Sequence, residues 1–267
     1  MTLVVGLASV IVGCGGGGSS ADSSTGPVGD GPVGVVTWVA DGDTIEVEVA
    51  DELIDVRLVA LNTPDQGECY ADQAQDHLVE TLRDHTVRLE IVGEDQFGRT
   101  LAHVFDGDRH VNLELVTLGL ALASTPGESD AHGEAIPEAE EEAYTSGRGL
   151  WAATACGTDG PIPRVVVDPD RSVVDPEGPD DENMGAEMIA IVNDGSQPID
   201  LTGWIVRDES TRHRFTVGGL ALDPDETLTI PSSDPGWDPG DSPVWNNDGD
   251  IVVLQLPDGT VVARWRY

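Results

Sequence analysis

Hydrophobic and polar positions change period several times along the chain. Leu3 to Val12 is a short apolar run, followed by Gly13-Cys14 and a Gly/Ser-rich segment. From Val35 the pattern becomes that of a folded domain. Val35-Val36-Thr37-Trp38-Val39 is a β-type run closing on Asp41-Gly42-Asp43, a turn signal. Thr44 to Val49 alternates apolar and polar residues, as a half-buried strand does. Val56 to Leu61 is a third run, with Arg57 as its only charge. Ala71 to Arg83 places Ala74, Leu78 and Leu82 at helical spacing. Val87–Val92 and Thr100–Phe105 read as two more strands joined through Gly98, and Asn112–Leu122 and Ile136–Tyr144 as two more helices. Five strands with interspersed helices fit a small β-barrel of the OB type better than a βαβ unit.

Gly157 to about Gly178 is rich in Pro, Asp and Gly and reads as a solvated acidic linker. Its aspartates do not have the spacing of an EF-hand loop. Beyond it, short strands alternate with turn clusters at Met188–Asn193, Ile199–Trp204, Arg212–Val217, Glu226–Ile230, Ile251–Leu256 and Val261–Trp265. That rhythm, with few helix signals, suggests a β-sandwich. The expected fold class is mainly β with some α. The expected organisation is a leader over 1–14, a tether over 15–34, a barrel over 35–156, a linker over 157–178 and a sandwich over 179–267. A length of 267 residues suits two modest domains.

Charge changes the picture. There are 13 basic residues, all arginine, against 50 acidic ones, for a net charge of −37. Self-repulsion on that scale opposes compaction in dilute buffer. In molar salt the Debye length falls to about 3 Å and the repulsion largely vanishes. Asp and Glu are spread over the whole chain rather than gathered in a tail, so the expectation is a halophile's surface. Hydrophobic residues at 39% in ordered patterns exclude a disordered chain.

The apolar run at 3–12 is too short to span a bilayer and has the length of a signal-peptide core. Ile11-Val12-Gly13-Cys14 resembles a lipobox, which implies lipidation at Cys14, with the following Gly/Ser segment as a flexible tether. The expected location is the outer face of the membrane, or outright secretion if Cys14 stays unmodified. Cys69 and Cys156 are then left for each other. Outside the cell a disulfide between them is favoured over two buried free thiols, and its long loop would be worth on the order of 4 kcal/mol.

Several charged residues interrupt the apolar strands of the barrel. Asp41, Asp43 and Thr44 sit at a strand–turn junction, Arg57 lies within a strand, and Asn62-Thr63-Pro64-Asp65 closes that strand. Phe97-Gly98-Arg99 brings a second arginine. Carboxylate, amide and backbone carbonyl oxygens form a hard site suited to calcium. Two arginines can clamp a phosphate whose charge grows in the transition state. A further carboxylate can position or deprotonate an attacking water. These are the parts of a metal-assisted phosphodiesterase, although each motif alone carries little weight.

The ordered set resembles the staphylococcal nuclease (thermonuclease) family over about Val35 to Trp151. The resemblance rests on Asp41-Gly42-Asp43-Thr44, Arg57-Leu58, Asn62-Thr63-Pro64-Asp65, Phe97-Gly98-Arg99-x-Leu101-Ala102, Val111-Asn112-x-x-Leu115-Val116-x-x-Gly119-x-Ala121 and Gly147-Arg148-Gly149-Leu150-Trp151. It implies an OB-fold, calcium-dependent nuclease. Asp43 would be a Ca2+ ligand, with Asp41 beside it in the inner or outer sphere. Asn62 stands at a second ligand position, and Thr63 would offer its carbonyl. Asp65 would orient or activate water. Arg57 and Arg99 would bind the scissile phosphate. The chain departs from the family at four places. Asn62 replaces an aspartate and Asp65 a glutamate. Gln96 replaces a basic residue. Thr125-Pro126-Gly127 falls where nucleotide-packing tyrosines are expected.

Leu201-Thr202-Gly203-Trp204-x-x-Arg207-Asp208, Leu222-x-Pro224-x-Glu226-x-Leu228-x-Ile230 and Val244-Trp245-Asn246-Asn247-x-Gly249-Asp250 look like a lamin-tail domain. That resemblance implies an immunoglobulin-like sandwich for binding or tethering. Trp204 and Trp245 read as core residues, and Asn247-Asp248-Gly249-Asp250 as a tight turn. The function expected is an exported, lipid-anchored, Ca2+-dependent nuclease acting on DNA and/or RNA without sequence specificity, best on single strands. It is expected to be a monomer whose C-terminal domain has an unidentified surface ligand. Two other readings stand beside it: a catalytically weakened surface binding or scaffold protein, and an adhesion protein led by its C-terminal domain.

Overall fold

The computed structural model describes residues 31–124, 132, 135–158, 160–174, 186–209, 213–238, 244–245 and 249–267. The leader, Cys14, residues 15–30 of the tether, Thr125-Pro126-Gly127 and Asn246-Asn247-Asp248 lie outside the described residues.

The first part of the chain contains β1 (Val33–Val39), β2 (Thr44–Val49), β3 (Glu52–Leu58), β4 (Leu61–Asn62), α1 (Ala71–Leu82), β5 (Thr86–Glu94) and β6 (Thr100–Asp106). It continues with β7 (Arg109–His110), α2 (Val111–Thr117), β8 (Leu122–Ala123) and α3 (Ala135–Thr145). Strands β1, β2, β3, β5 and β6 pair in the order β3-β2-β1-β5-β6, and a parallel β3–β6 pairing closes the five into a barrel. Alternation sends Val36, Ile45, Val47, Val56, Leu58, Leu89 and Val104 inward. Helix α1 adds Ala74, Leu78 and Leu82 to the same core.

Two expected elements come out shorter. The run Val56–Leu61 breaks after Leu58, where Ala60 takes a left-handed φ of 62°, and resumes as β4. The helix expected over Asn112–Leu122 stops at Thr117. Gly119, at φ 68°, lets its own N–H reach the Val116 carbonyl and the Leu120 N–H reach that of Leu115, each at 2.9 Å. This is a glycine helix stop. It turns the chain so that β8 pairs with β4 beside the candidate site.

The second part contains β9 (Val165–Val167), β10 (Met188–Asn193), β11 (Ile199–Asp200), β12 (Ile205–Arg207), β13 (Arg214–Thr216), β14 (Ala221–Leu222), β15 (Thr227–Pro231), β16 (Trp237–Asp238), β17 (Ile251–Gln255) and β18 (Val261–Arg266). A three-stranded sheet, β15-β10-β9, and a five-stranded sheet, β16-β13-β12-β17-β18, contribute to one apolar core, with β11 and β14 pairing separately. Trp204 and Trp245 are buried in that core, as expected.

Two expectations need correction here. The stretch read as a solvated linker contains β9, whose Val165 and Val167 are buried against β10. Their alternation outweighs the surrounding Pro and Asp. The strand expected over Ile199–Trp204 is only β11, because Gly203 at φ 79° makes a turn before Trp204.

The two parts share a boundary. Cys69 and Cys156 form the expected disulfide, with Cα atoms 5.5 Å apart. Leu122, Ala143, Leu150 and Trp151 of the first part pack in one cluster with Ile251, Val253 and Val261 of the second. Glu140 of α3, fully buried, meets Arg266 at 2.9 Å and Arg264 at 3.3 Å.

Candidate functional site

The β2–β3 ladder builds the centre of the site. Thr44 registers opposite Arg57, and the Leu58 N–H donates to the Asp43 carbonyl at 2.8 Å. Asp43 therefore enters β2 beside the point where Arg57 leaves the apolar face of β3. The Asp41-Gly42-Asp43 turn is closed by the Asp43 N–H donating to Asp41 Oδ1 at 3.0 Å. Gly42 is required by crowding: a Cβ there would lie 2.6 Å from the Ala74 Cβ and 2.8 Å from Thr63 Oγ1.

Asp43 Oδ2 accepts from the Thr63 N–H and the Thr63 hydroxyl, each at 3.0 Å, and pairs with Arg57 Nη2 at 3.1 Å. Its Oδ1 accepts from the Thr44 hydroxyl at 3.2 Å. Burial pushes the Asp43 carboxyl above its ordinary value and Asp41 adds to that, while Arg57 and Thr63 pull it back. The balance is a carboxylate held at a cost. Arg57 also donates to the carbonyls of Leu58 and Leu61 and to Asn62 Oδ1. Asp43, Arg57, Asn62 and Thr63 thus form one hydrogen-bonded network.

A cleft of about 400 Å³ is lined by Asp41, Asp43, Thr63 and Asp65 together with Asp72 and Gln75. Asp65 is exposed on its rim, and the Asp65 N–H donates to Glu68 Oε2 at 3.0 Å. Arg99 is apart from the network. Its Nε donates to Asp95 Oδ2 at 2.7 Å, and Asp95 Oδ1 accepts from the N–H groups of Phe97 and Arg99 at 2.9 Å each. The parallel β3–β6 register sets Leu101 opposite Arg57, so Arg99 precedes β6 close to the same end of β3. Phe97 beside it is 74% exposed.

Some contacts at the site have no local signal in the chain. Asn62 Nδ2 donates to the Glu209 carbonyl at 3.1 Å, and Arg214 forms an ion pair with Glu68. Glu68 itself stands at the i+3 spacing of a side chain that caps a preceding N–H, a signal that could have found it. Among the described residues, no three His, Cys, Asp or Glu side chains converge as a ready set of metal ligands.

Residues 55–153 match the family described as Staphylococcal nuclease homologue, and residues 168–267 match the Lamin Tail Domain. An uncharacterized endonuclease of Haemophilus influenzae is 31% identical over 118 residues, covering 44% of this chain and 65% of that protein's length. The thermonuclease of Staphylococcus intermedius is 33% identical over 125 residues, covering 44% of this chain and 74% of the relative. An uncharacterized endonuclease of Escherichia coli O157:H7 is 31% identical over 120 residues, covering 45% and 76%. With a closed barrel and these relatives, the chain belongs to the staphylococcal nuclease homologue family.

Proposed function

We propose that the chain is a Ca2+-dependent nuclease that hydrolyses phosphodiester bonds of DNA and/or RNA with little sequence specificity. The observation that carries this reading is the Asp43–Thr63–Arg57 network, whose Asp43 and Thr63 line an acidic cleft. The donors fit calcium: the carboxylates of Asp43 and Asp41, the carbonyl of Thr63 and the amide oxygen of Asn62 are all hard oxygens. A buried carboxylate already penalised by desolvation and by Asp41 is one that a cation relieves. Bound calcium would supply charge neutralisation at the phosphate. The rest falls to the chain. Arg57 and Arg99 clamp the phosphate and meet its growing charge. Asp65, exposed on the rim, orients a water and accepts its proton. Phe97 offers a face on which an unpaired base can stack.

The same reading places the protein outside the cell, attached through Cys14 to the membrane of a halophilic, haloarchaeal-type organism. The C-terminal sandwich there serves as a binding or tethering module toward a surface ligand, on a monomeric chain. The weakened-nuclease reading keeps one argument, because Asn62 adds no charge to the metal site.

The experiment is cleavage of single-stranded DNA by the full chain in molar salt, with calcium or with a chelator. Activity should require calcium and fall by roughly 100- to 1,000-fold in Arg57→Ala, Arg99→Ala and Asp65→Ala. A folded protein inactive with every divalent metal and on both nucleic acids would favour the binding-protein reading.

A further inference from the structure

The loop from Asn62 to Cys69 carries three site residues, Asn62, Thr63 and Asp65, and the C-terminal sandwich holds it at several points. The amide of Asn62 is fixed at both ends: Oδ1 accepts from Arg57, and Nδ2 donates to the Glu209 carbonyl at 3.1 Å. The chemistry allows only one orientation of that amide, since the guanidinium can only donate and the carbonyl can only accept. An aspartate at position 62 would set a carboxylate oxygen against the Glu209 carbonyl oxygen.

A second relay reaches Asp65. Its N–H donates to Glu68 Oε2 at 3.0 Å, and Glu68 Oε1 pairs with Arg214. Arg214 opens β13 directly opposite Arg207 in β12. Arg207 is 2% exposed. Burial and the nearby Arg214 oppose its charge, while Glu68, Asp208 and Asp65 support it. Glu68 of the site loop is thus a counter-charge for Arg214 of the sandwich. Cys69, next in the chain, is bonded to Cys156 and packs against Gly259, where an added Cβ would lie 3.0 Å from the Cys69 Cβ.

We propose that the C-terminal sandwich is a working part of the nuclease site: Arg214, acting through Glu68, positions Asp65, and the Glu209 carbonyl positions Asn62. This rests on the nuclease reading above. Arg214 and Glu68 are positioning residues, so their loss moves turnover more than substrate binding.

The test uses the full chain in molar salt, with Arg214→Gln, Glu68→Ala, the double variant, Arg214→Lys and Asn62→Asp. In Arg214→Gln and Glu68→Ala, kcat should fall about tenfold with KM little changed, as for a misplaced water-orienting group. The double variant should be no worse than Glu68→Ala alone, because the two act as one unit. Arg214→Lys should keep most of the activity. Amide hydrogen exchange at Asp65 should quicken in both single variants while the barrel strands keep their protection. Asn62→Asp should lower the Tm without raising kcat. The proposal is overturned if Arg214→Gln leaves kcat and Asp65 exchange unchanged. It is also overturned if kcat falls only in step with global loss of protection, or if Asn62→Asp raises kcat at an unchanged Tm. If wild-type protein cleaves and Arg57→Ala does not, the nuclease reading stands whatever Arg214 does. If wild-type protein does not cleave, that reading fails, and exchange at Asp65 still decides whether Arg214 holds the loop.

Discussion

Asp43, Asn112 and Asp95 show three ways in which a polar side chain serves this barrel. Burial raises the Asp43 carboxyl above its ordinary value, and Arg57 and Thr63 offset that only in part. Asn112 carries no charge and has no contact with the cleft. Fully buried, it accepts from the Val104 N–H at 2.9 Å and donates to the carbonyls of Val59 at 2.9 Å and Ala102 at 3.3 Å. It ties α2 to β6 and to the break after β3. Asn112→Ala should destabilise the fold by roughly 2–4 kcal/mol, since it strands buried backbone groups; urea unfolding measures this, and a loss under about 1 kcal/mol would mean that water replaces the amide. Asp95 acts through pH. Such desolvation as it has acts upward, but the N–H groups of Arg99 and Phe97 and the Arg99 side chain outweigh it, and its carboxyl lies below the ordinary 3.8. A carboxylate with a depressed folded pKa lends stability above its unfolded value and loses it as pH falls through the folded one. The 95–99 loop should therefore persist from neutral pH down to about 3.8 and open only below it. An NMR titration of the Phe97 and Arg99 amides reads this, and opening well above that pH would contradict it. Asp41, Asp43, Arg57, Thr63 and Asp65 were legible in the chain because they crowd into one strand–turn–strand unit. Glu68 was passed over although its i+3 spacing from Asp65 is a capping signal; its pairing with Arg214 has none.

At the scale of elements, local pattern worked where one period ruled. Helix α1 buries Ala74, Leu78 and Leu82 as their spacing implies. Pattern failed where a turn cut a run short, at Ala60, Gly119 and Gly203, because left-handed backbone overrides apolar periodicity. Helix α3 shows a deeper limit. Glu138, Glu140, Glu141 and Glu142 read alike along the chain, yet only Glu140 is fully buried. Its Oε1 accepts from the Ala123 N–H at 2.9 Å, and its Oε2 meets Arg264 and Arg266 of β18. Glu140→Ala leaves two arginines without their shared partner and should cost on the order of 3–5 kcal/mol. Glu142→Ala, at the surface, should cost under about 1 kcal/mol. Thermal melts of the two variants compare them directly, and equal effects would show that Glu140 carries no buried charge.

For the molecule as a whole, the net charge of −37 and the long-range staples act against each other. The disulfide closes a loop between residues 87 apart, worth about 4–5 kcal/mol in the loop-entropy account. Repulsion among surface carboxylates works the other way and is screened by salt. The Tm should therefore rise steeply between about 0.1 M and about 1 M NaCl. Scanning calorimetry across that range checks it, and a flat response would remove the halophile reading. On the proposed nuclease reading the same balance bears on substrate: phosphate neutralisation counts for little in molar salt, so affinity would rest on local contacts such as Arg57 and Arg99.

By itself the sequence determined the barrel, the sandwich and most of the central network, and its cysteine count left one disulfide pair. Those features are written in short-range alternation, in turn residues and in motifs that span about twenty residues at most. Only the tertiary structure decided which glutamate of α3 is buried, that β9 joins the sandwich, and that Glu209 and Arg214 reach Asn62 and Glu68. The contacts of Glu209 and Arg214 join residues more than a hundred positions apart in the chain. Spacing along the chain encodes the faces of a strand or helix, whereas the meeting of two finished domains depends on complementary surfaces that exist only after both have folded.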